Sequence, residues 1–377
     1  MLLSQLDYDQ FFIKYTLKLA ARAMGRTSPN PMVGAVVVKD GQIRGEGYHQ
    51  KAGTPHAEIH ALRQAGEAAR GATLYVTLEP CSHYGRTPPC SQAVIQAGIK
   101  RVVAAMVDPN PEVSGRGLQQ LANAGIEVVS GVMEEEARQL NEVFIKYITT
   151  RLPFVVLKSA MTLDGKTATR TGHAFWVTGA EAREEVHRLR DRYDAIMVGI
   201  GTVLADDPQL TTRLSNGQQG KDPIRVVVDS SLRLPITARV INPFSSAPTI
   251  VATTPQAPRE RRRMLEERGV EVLVVDSEGN RVNLNNLMAL LGSREITSVL
   301  LEGGATLNAS ALEAGVVDKL ITFIAPKIIG GKEAPGMVGG LGQARMDDAY
   351  LLDRIKVAHF GEDLMLSGYI RKDKDVI

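Results

Sequence analysis

Short apolar runs alternate with segments of helical periodicity along the whole chain, and this alternation restricts the fold more than any other feature. A strand buried on both faces reads as a continuous apolar run. A surface helix repeats apolar residues every three or four positions. Phe11, Phe12, Tyr15, Leu19 and Met24 recur at helical spacing over residues 8–25. AVVVK (35–39) reads as a buried strand, with a glycine-rich turn at Gly41, Gly45 and Gly47. Next come an expected helix at 56–68, a strand at 72–80 stopped by Pro80, a short helix at 90–97, a strand at 101–107, a helix at 117–124 and a strand at 126–131. Residues 134–150 read as a closing helix, and Leu152-Pro153 punctuates the chain after it. A boundary near residue 150 therefore separates a unit of residues 1–150 from one of residues 151–377. In the second, strands are expected at 154–160, 195–199, 224–229, 249–254, 270–275, 298–303, 319–326, 355–360 and 364–370, and helices at 180–192, 257–268, 284–291 and 305–314. Such a pattern builds helical layers on a sheet, the α/β class.

A chain of 377 residues suits two domains that each bury a core without disulfide staples. The 44 basic and 42 acidic residues leave a net charge of +2, which argues against a broad nucleic-acid footprint. No apolar run approaches the about 20 residues that a membrane helix needs. Asp7 and Asp9 interrupt the N-terminal apolar stretch, so no targeting signal is read there. A cytoplasmic, reducing compartment is the expectation, with neither membrane nor nucleic acid as partner. In that setting two nearby cysteines point to a metal or to catalysis more than to a bridge.

The strongest local pattern is His56-Ala57-Glu58, then Pro80-Cys81, then Cys90. One imidazole and two thiolates fill three tetrahedral positions on zinc and leave the fourth for water. Zinc lowers the pKa of that water toward neutrality. Glu58 lies too near His56 along the chain to make a good fourth ligand. It is well suited to carry a proton from the water to departing ammonia. A purely structural zinc normally has four protein ligands, and His83 is the one further candidate nearby. The competing reading is a pair of buried structural cysteines with a histidine at a helix start. The order His-x-Glu, Pro-Cys, Cys is the signature of zinc nucleobase and nucleotide deaminases. Here SHYGRTPP (82–89) separates the cysteines where the common pattern has only two residues, which sets the chain apart from ordinary cytidine and tRNA adenosine deaminases. His56 and Cys90 are both expected at helix starts, where the dipole favours thiolate and hydroxide.

TSPNPMVGAVVV (27–38), GYHQKAGTPHAE (47–58) and EPCSHYGRTPPC (79–90) resemble the deaminase half of the bifunctional riboflavin-biosynthesis deaminase–reductases, with GRTPPC the most specific segment. The resemblance implies a cytidine-deaminase-like three-layer sandwich. It also implies one Zn2+ and a substrate, 2,5-diamino-6-ribosylamino-4-pyrimidinone 5′-phosphate, whose 2-amino group is replaced by oxygen. Asn30 has donor and acceptor atoms for a pyrimidine edge, and His49 and Arg86 are candidates for ribose or phosphate. Asn30 also reads as a turn residue between prolines, and Arg86 as a solvated loop arginine.

No G-x-G-x-x-G follows a strand in the second half, so the common dinucleotide fingerprint is absent. KSAMTLDGKTA (158–168), WVTG (176–179), TVLADDPQLTTR (202–213), VVVDS (226–230) and LLEGGATLN (300–308) instead resemble, in order, the reductase half of the same family. That resemblance implies a dihydrofolate-reductase-like α/β domain, NADPH as cofactor, and reduction of the ribose of 5-amino-6-(5-phosphoribosylamino)uracil to the ribityl form. It places cofactor contacts on Ala160, Trp176, Thr202, Asp206, Ser230, Gly304, Ala305, Thr306, Leu307, Asn308, Ala309 and Ser310. Substrate contacts fall on Ala174, Arg190, Leu210, Arg213 and Glu302, and Ala174 stands where the family usually has serine. Glu302-Gly303-Gly304 ends a strand and opens a helix whose free N–H groups attract phosphate, although two glycines alone also make an ordinary turn. Trp176 could instead pack in a core, and Asp206 could belong to a turn with Asp207-Pro208. Lys158, Asp206 and Glu302 are the available acids. Small-molecule nucleotides and a second copy of the chain are the partners the resemblance suggests.

Overall fold

The computed structural model describes residues 4–82, 89–111, 113–215, 217, 220–241 and 245–371. The chain divides into two compact units, Met1–Arg151 and Leu152–Ile377.

The first unit opens with α1 (Gln5–Ala21), whose Ser4 and Asp7 cap each other reciprocally. It continues through β1 (Gly34–Lys39), β2 (Gln42–Tyr48), α2 (Ala57–Ala65), β3 (Thr73–Val76), α3 (Cys90–Gln96), β4 (Arg101–Ala104), α4 (Arg116–Asn123), β5 (Glu127–Ser130), α5 (Glu134–Leu140) and α6 (Glu142–Thr150). The sheet order is β2-β1-β3-β4-β5. β1 runs antiparallel to both neighbours, and β3, β4 and β5 run parallel.

Three glycines show how closely helices meet this sheet. A β-carbon on Gly34 would fall 2.2 Å from the Thr16 carbonyl oxygen of α1. On Gly45 it would fall 2.1 Å from the Ala61 carbonyl oxygen, and on Gly47 2.4 Å from His60 Cβ, both in α2. Gly47 pairs with Ala35, the neighbour of Gly34, so it lies on the face opposite Gly34. The two helices therefore cover opposite faces, and the unit has three layers. The glycine-rich turn expected over 41–47 is thus a tight turn at Gly41 followed by strand β2. Its glycines make room for a helix and do not bend the chain.

The single helix expected at 134–150 is two, broken at Asn141. The Asn141 side chain accepts the Met32 N–H at 2.8 Å and donates to the Met32 carbonyl at 3.0 Å. An asparagine that binds a distant backbone at both ends competes with helix continuation.

The second unit comprises β6 (Phe154–Thr162), α7 (Ala180–Arg192), β7 (Ala195–Gly199), α8 (Ile200–Asp206), β8 (Ile224–Val228), β9 (Thr249–Thr253), α9 (Arg259–Glu266), β10 (Glu271–Val274), the hairpin β11 (Ser277–Glu278) and β12 (Arg281–Val282), α10 (Leu284–Gly292), β13 (Ser298–Leu301), α11 (Ala305–Glu313), β14 (Lys319–Ala325), β15 (Leu352–Phe360) and β16 (Asp363–Ile370). A nine-stranded sheet runs β10-β9-β8-β7-β13-β6-β14-β16-β15. The strands from β10 to β14 are parallel, and β16 and β15 close one edge antiparallel.

Alternate residues of the same strands feed two cores. Ala195, Met197, Val226, Ile250 and Leu273 pack with Leu287 and Leu291 of α10 and Ala311 of α11. Ile196, Val198, Val227, Val251 and Val272 pack with Val203 of α8 and Leu265 of α9. Each such side chain, fully buried, contributes about 1.5–3 kcal/mol. Burial on both faces explains why these strands read as unbroken apolar runs.

Candidate functional site

His56 is the N-cap residue of α2, and Cys90 opens α3. Cys81 follows the β3 strand by five positions. These three segments converge. His56 Nδ1 lies 3.2 Å from Cys90 Sγ and 3.6 Å from Cys81 Sγ, and all three ligand atoms fall within 4.8 Å of one another. Bond lengths of about 2.0 Å to nitrogen and 2.3 Å to sulfur place tetrahedral ligands about 3.5–3.8 Å apart. The donor set and its spacing therefore fit zinc. Both cysteines are free thiols. The Cys90 thiol, followed by His56, pulls the Cys81 thiol down to about 4. Among the described residues this is the group of metal-ligating side chains that gathers. His83 and Arg86 lie outside the described residues.

Glu58 sits in the first turn of α2 and is buried, with Oε2 lacking any partner among the described residues. Burial, reinforced by the Cys81 charge, pushes its carboxyl up to about 7. A buried oxygen with no partner next to a ligand set is where a water or substrate atom belongs.

Asn30 and His49 lie beside this centre. Asn30 Nδ2 lies 3.1 Å from His49 Nε2, and His49 Nδ1 lies 3.2 Å from the Pro55 carbonyl oxygen. A carbonyl only accepts, so Nδ1 carries the proton and Nε2 accepts from Asn30. Burial lowers the His49 pKa, which keeps the ring neutral. The Asn30 side-chain oxygen has no hydrogen-bond partner among the described residues. The His49 and His56 rings meet edge to face at 5.5 Å.

Two supporting residues have no counterpart among the sequence expectations. Glu79 immediately precedes Pro80-Cys81, and its buried carboxylate accepts four backbone N–H groups: Asp108 at 3.0 Å, Gly115 at 2.9 Å, Gly117 at 2.7 Å and Leu118 at 3.3 Å. It thereby satisfies the start of α4 and anchors the Cys81 segment to it. Ser91 ties the cysteine segments together, its N–H reaching the Cys81 carbonyl at 3.1 Å and its hydroxyl at 3.0 Å. The one local signal for Glu79 was its place beside the metal motif.

In the second unit, Arg190 grips Glu302 through two parallel hydrogen bonds, 2.9 and 3.0 Å, and donates to the Thr211 carbonyl at 3.2 Å. Lys158 Nζ lies 3.7 Å from Glu302. Burial alone would raise the Glu302 carboxyl, but the Arg190 and Lys158 charges hold it down at about 2. Burial lowers the Lys158 ammonium against the pull of Glu302. Arg213 donates to Thr211 Oγ1 at 2.8 Å, and its N–H reaches His187 Nδ1 at 3.2 Å. Burial, with Arg190 and Arg213 close by, pushes His187 down to about 4. Arg190, Arg213 and Glu302 thus belong to one cationic cluster. His187, unremarked in the sequence, stands one helical turn from Arg190 in α7. Leu210 is buried with positive φ and packs in the core that contains Val198 and Val203. Ala174 lies in the loop before α7.

The expected cofactor residues gather more loosely. Gly199 and Gly304 are the N-cap residues of α8 and α11. A β-carbon on Gly304 would stand 3.4 Å from Thr202 Oγ1, so the two helix starts lie side by side. Ser230, Thr306, Leu307 and Ser310 line one cavity of about 370 Å³. Asp229 Oδ1, in the same lining, and Asn308 Oδ1 are buried without a partner among the described residues. Paired helix starts and orphaned acceptors fit a phosphate-bearing dinucleotide. Ala160 lies on β6 and Asp206 ends α8, while Asp207 turns the chain there and accepts the Arg239 N–H at 2.7 Å. Core packing for Trp176 is corrected: the residue is 62% exposed, with the Arg183 guanidinium 4.5 Å from its ring centroid.

A protein-family model described as the RibD C-terminal domain matches residues 153–366, and one described as the cytidine and deoxycytidylate deaminase zinc-binding region matches residues 6–106. The chain is 48% identical to riboflavin biosynthesis protein RibD of Aquifex aeolicus, over 96% of this chain and 98% of that one. Among solved structures, RibD of Acinetobacter baumannii superposes with a TM-score of 0.87 at 41% identity, covering 98% of this chain and 100% of that one. A diaminohydroxyphosphoribosylaminopyrimidine deaminase/5-amino-6-(5-phosphoribosylamino)uracil reductase of Thermotoga maritima superposes with a TM-score of 0.84 at 38% identity, again over 98% and 100%. The chain belongs to the RibD family of riboflavin biosynthesis proteins, which join a zinc-binding deaminase and a reductase in one polypeptide.

Proposed function

We propose that the first unit hydrolyses the 2-amino group of 2,5-diamino-6-ribosylamino-4(3H)-pyrimidinone 5′-phosphate and that the second reduces the ribose of the product. The observation that carries this reading is the convergence of His56, Cys81 and Cys90 beside the buried, unpartnered oxygen of Glu58. Zinc, when bound by those three residues, supplies a Lewis acid that makes water nucleophilic near neutral pH. Glu58 takes a proton from the attacking water and hands it to the 2-amino nitrogen. The C2–O bond forms as the ring C2=N double bond opens and that ring nitrogen takes the second water proton; the C2–N bond to the amino group then breaks, and ammonia leaves a carbonyl behind. Asn30, oriented by His49, holds the pyrimidine edge, and Arg86 takes the phosphate.

In the second unit Arg190 and Arg213 clamp the substrate phosphate. NADPH, when bound in the groove that runs past Ser230 and the start of α11, supplies the hydride. Carbon C1′ of the open imine form accepts it, the C=N bond becomes single, and the nitrogen takes a proton. Glu302 is held as a carboxylate by Arg190 and has no proton to give. Lys158 beside it is the donor this arrangement favours.

A cytoplasmic location accords with the free thiols and with the absence, among the described residues, of a helix long and apolar enough to cross a membrane. Assembly of copies through the reductase half is supported by the long edge strand β15, which leaves Ile355 and Val357 exposed.

Incubation with the diaminopyrimidinone nucleotide, with and without NADPH, tests the whole reading. Ammonia is expected in both arms and the ribityl product only with NADPH. Neither ammonia nor NADPH oxidation would overturn it.

A further inference from the structure

Between α8 and β8 the chain forms no helix or strand among the described residues, so its backbone groups need partners from elsewhere. One face of α7 supplies several. Glu184, His187 and Arg190 recur three positions apart and share that face. The Glu184 carboxylate accepts the Ser215 N–H at 3.1 Å, His187 Nδ1 accepts the Arg213 N–H at 3.2 Å, and Arg190 donates to the Thr211 carbonyl at 3.2 Å. Side chains taken in order along the helix thus hold every second residue of the segment, which runs the opposite way. Asp191, next to Arg190, accepts the Lys221 N–H at 2.6 Å and fixes the far end.

Arg213 is the middle rung of this ladder. Its guanidinium reaches neutral oxygens, Thr211 Oγ1 at 2.8 Å and Gln209 Oε1 at 3.4 Å, and has no ion pair among the described residues. A guanidinium without a carboxylate is open to an anion from outside the chain. Where it stands depends on where its backbone is fixed, and His187 is what fixes the Arg213 N–H. A backbone N–H only donates, so Nδ1 carries the lone pair and the single ring proton sits on Nε2. A second proton would have to go on Nδ1 and would break the contact. Burial, then Arg190 and Arg213, oppose that second charge, and Glu302 and Glu184 do not outweigh them.

We propose that His187 is a positioning residue for the reduction: through Nδ1 it fixes the Arg213 backbone, and with it the place of the Arg213 guanidinium against the substrate phosphate. This rests on Arg190 and Arg213 being the phosphate clamp. Arg190 is set by both oxygens of Glu302, whereas Arg213 is set by a neutral ring acting on its backbone. A carboxylate placed on the Arg213 guanidinium would compete with the phosphate for the same donors. A neutral acceptor on the backbone holds the residue and leaves its charge free.

Steady-state reduction by His187→Leu, His187→Asn and His187→Gln tests the assignment, with thermal unfolding as a folding control. The substrates are 5-amino-6-(5-phosphoribosylamino)uracil and its phosphate-free nucleoside. Asparagine puts its side-chain oxygen near the place of Nδ1, and glutamine carries its polar atoms out to the reach of Nε2. His187→Leu is expected to raise KM for the nucleotide about tenfold, the scale of one charge-assisted hydrogen bond, and KM for the nucleoside less than about twofold. The kcat with the nucleotide should stay within about twofold of the wild type. His187→Asn is expected to restore most of the lost affinity. An unchanged KM in His187→Leu, an equal loss on nucleotide and nucleoside, or no restoration by His187→Asn would overturn the positioning role alone. Restoration by His187→Gln and not by His187→Asn would replace it with a direct contact through Nε2. A wild-type chain that reduces nucleotide and nucleoside equally well would overturn the clamp itself.

Discussion

Gly117 lies so close beneath Pro80 that a β-carbon on it would fall 1.9 Å from the Pro80 carbonyl oxygen. The same glycine donates its N–H to Glu79 at 2.7 Å, so the start of α4 and the residue before Cys81 are locked together. Gly117→Ala is expected to push the Cys81 segment off its position and cost about 1–3 kcal/mol, the range for overpacking a filled site. Glu79→Ala leaves four backbone N–H groups without their acceptor, at a cost of about 2 kcal/mol or more. Both variants should lose zinc to a competing chelator faster than the wild type. Wild-type retention in both would show that this lock does not position the ligand.

Glu58→Gln keeps the size of the side chain and removes its proton-carrying ability. Zinc content is expected to stay near one per chain while ammonia release falls by about 100-fold or more. NADPH oxidation with the pre-formed deaminated substrate should be unchanged, since Glu58 lies in the other unit.

Glu302→Ala would leave Arg190 and Lys158 buried without their counter-charge. Breaking such a pair typically costs about 3–5 kcal/mol. Reductase activity is expected to be lost and the unfolding transition of the second unit to fall, with ammonia release retained. A normal reduction rate would remove Glu302 from the substrate cluster.

His187 gives the second unit a pH dependence. Its pKa is about 4 in the folded chain against an ordinary 6.5. Between those values the unfolded chain binds the proton and the folded chain does not, so stability falls as pH drops from about 6.5 to 4. The ring is partly exposed, which limits the effect to on the order of 1 kcal/mol. His187→Gln should flatten the loss of melting temperature across that window. An unchanged slope would assign it to other groups.

Much of this molecule was legible before its folding was known, and for physical reasons. Strands β7, β8 and β9 lie between two cores, so their sequences are apolar runs with no alternation to misread. The metal motif was legible because its chemistry needs particular residue types in a particular order. What escaped reading was set by distant contacts. Gly45 and Gly47 looked like a turn because nothing local reveals that α2 lies against them. Asn141 looked like a mid-helix residue because its partner, Met32, is remote in the chain. His187 and Glu79 take their places through such long-range closures, and each is an ordinary polar residue where it stands in the sequence.

Zinc-edge X-ray absorption on the purified chain tests the central claim most directly. Two sulfur scatterers at about 2.3 Å and two lighter ones at about 2.0–2.1 Å are the expected shell, from Cys81, Cys90, His56 and a solvent oxygen. A shell without sulfur, or one with sulfurs retained in a Cys81→Ser, Cys90→Ser double variant, would contradict the account.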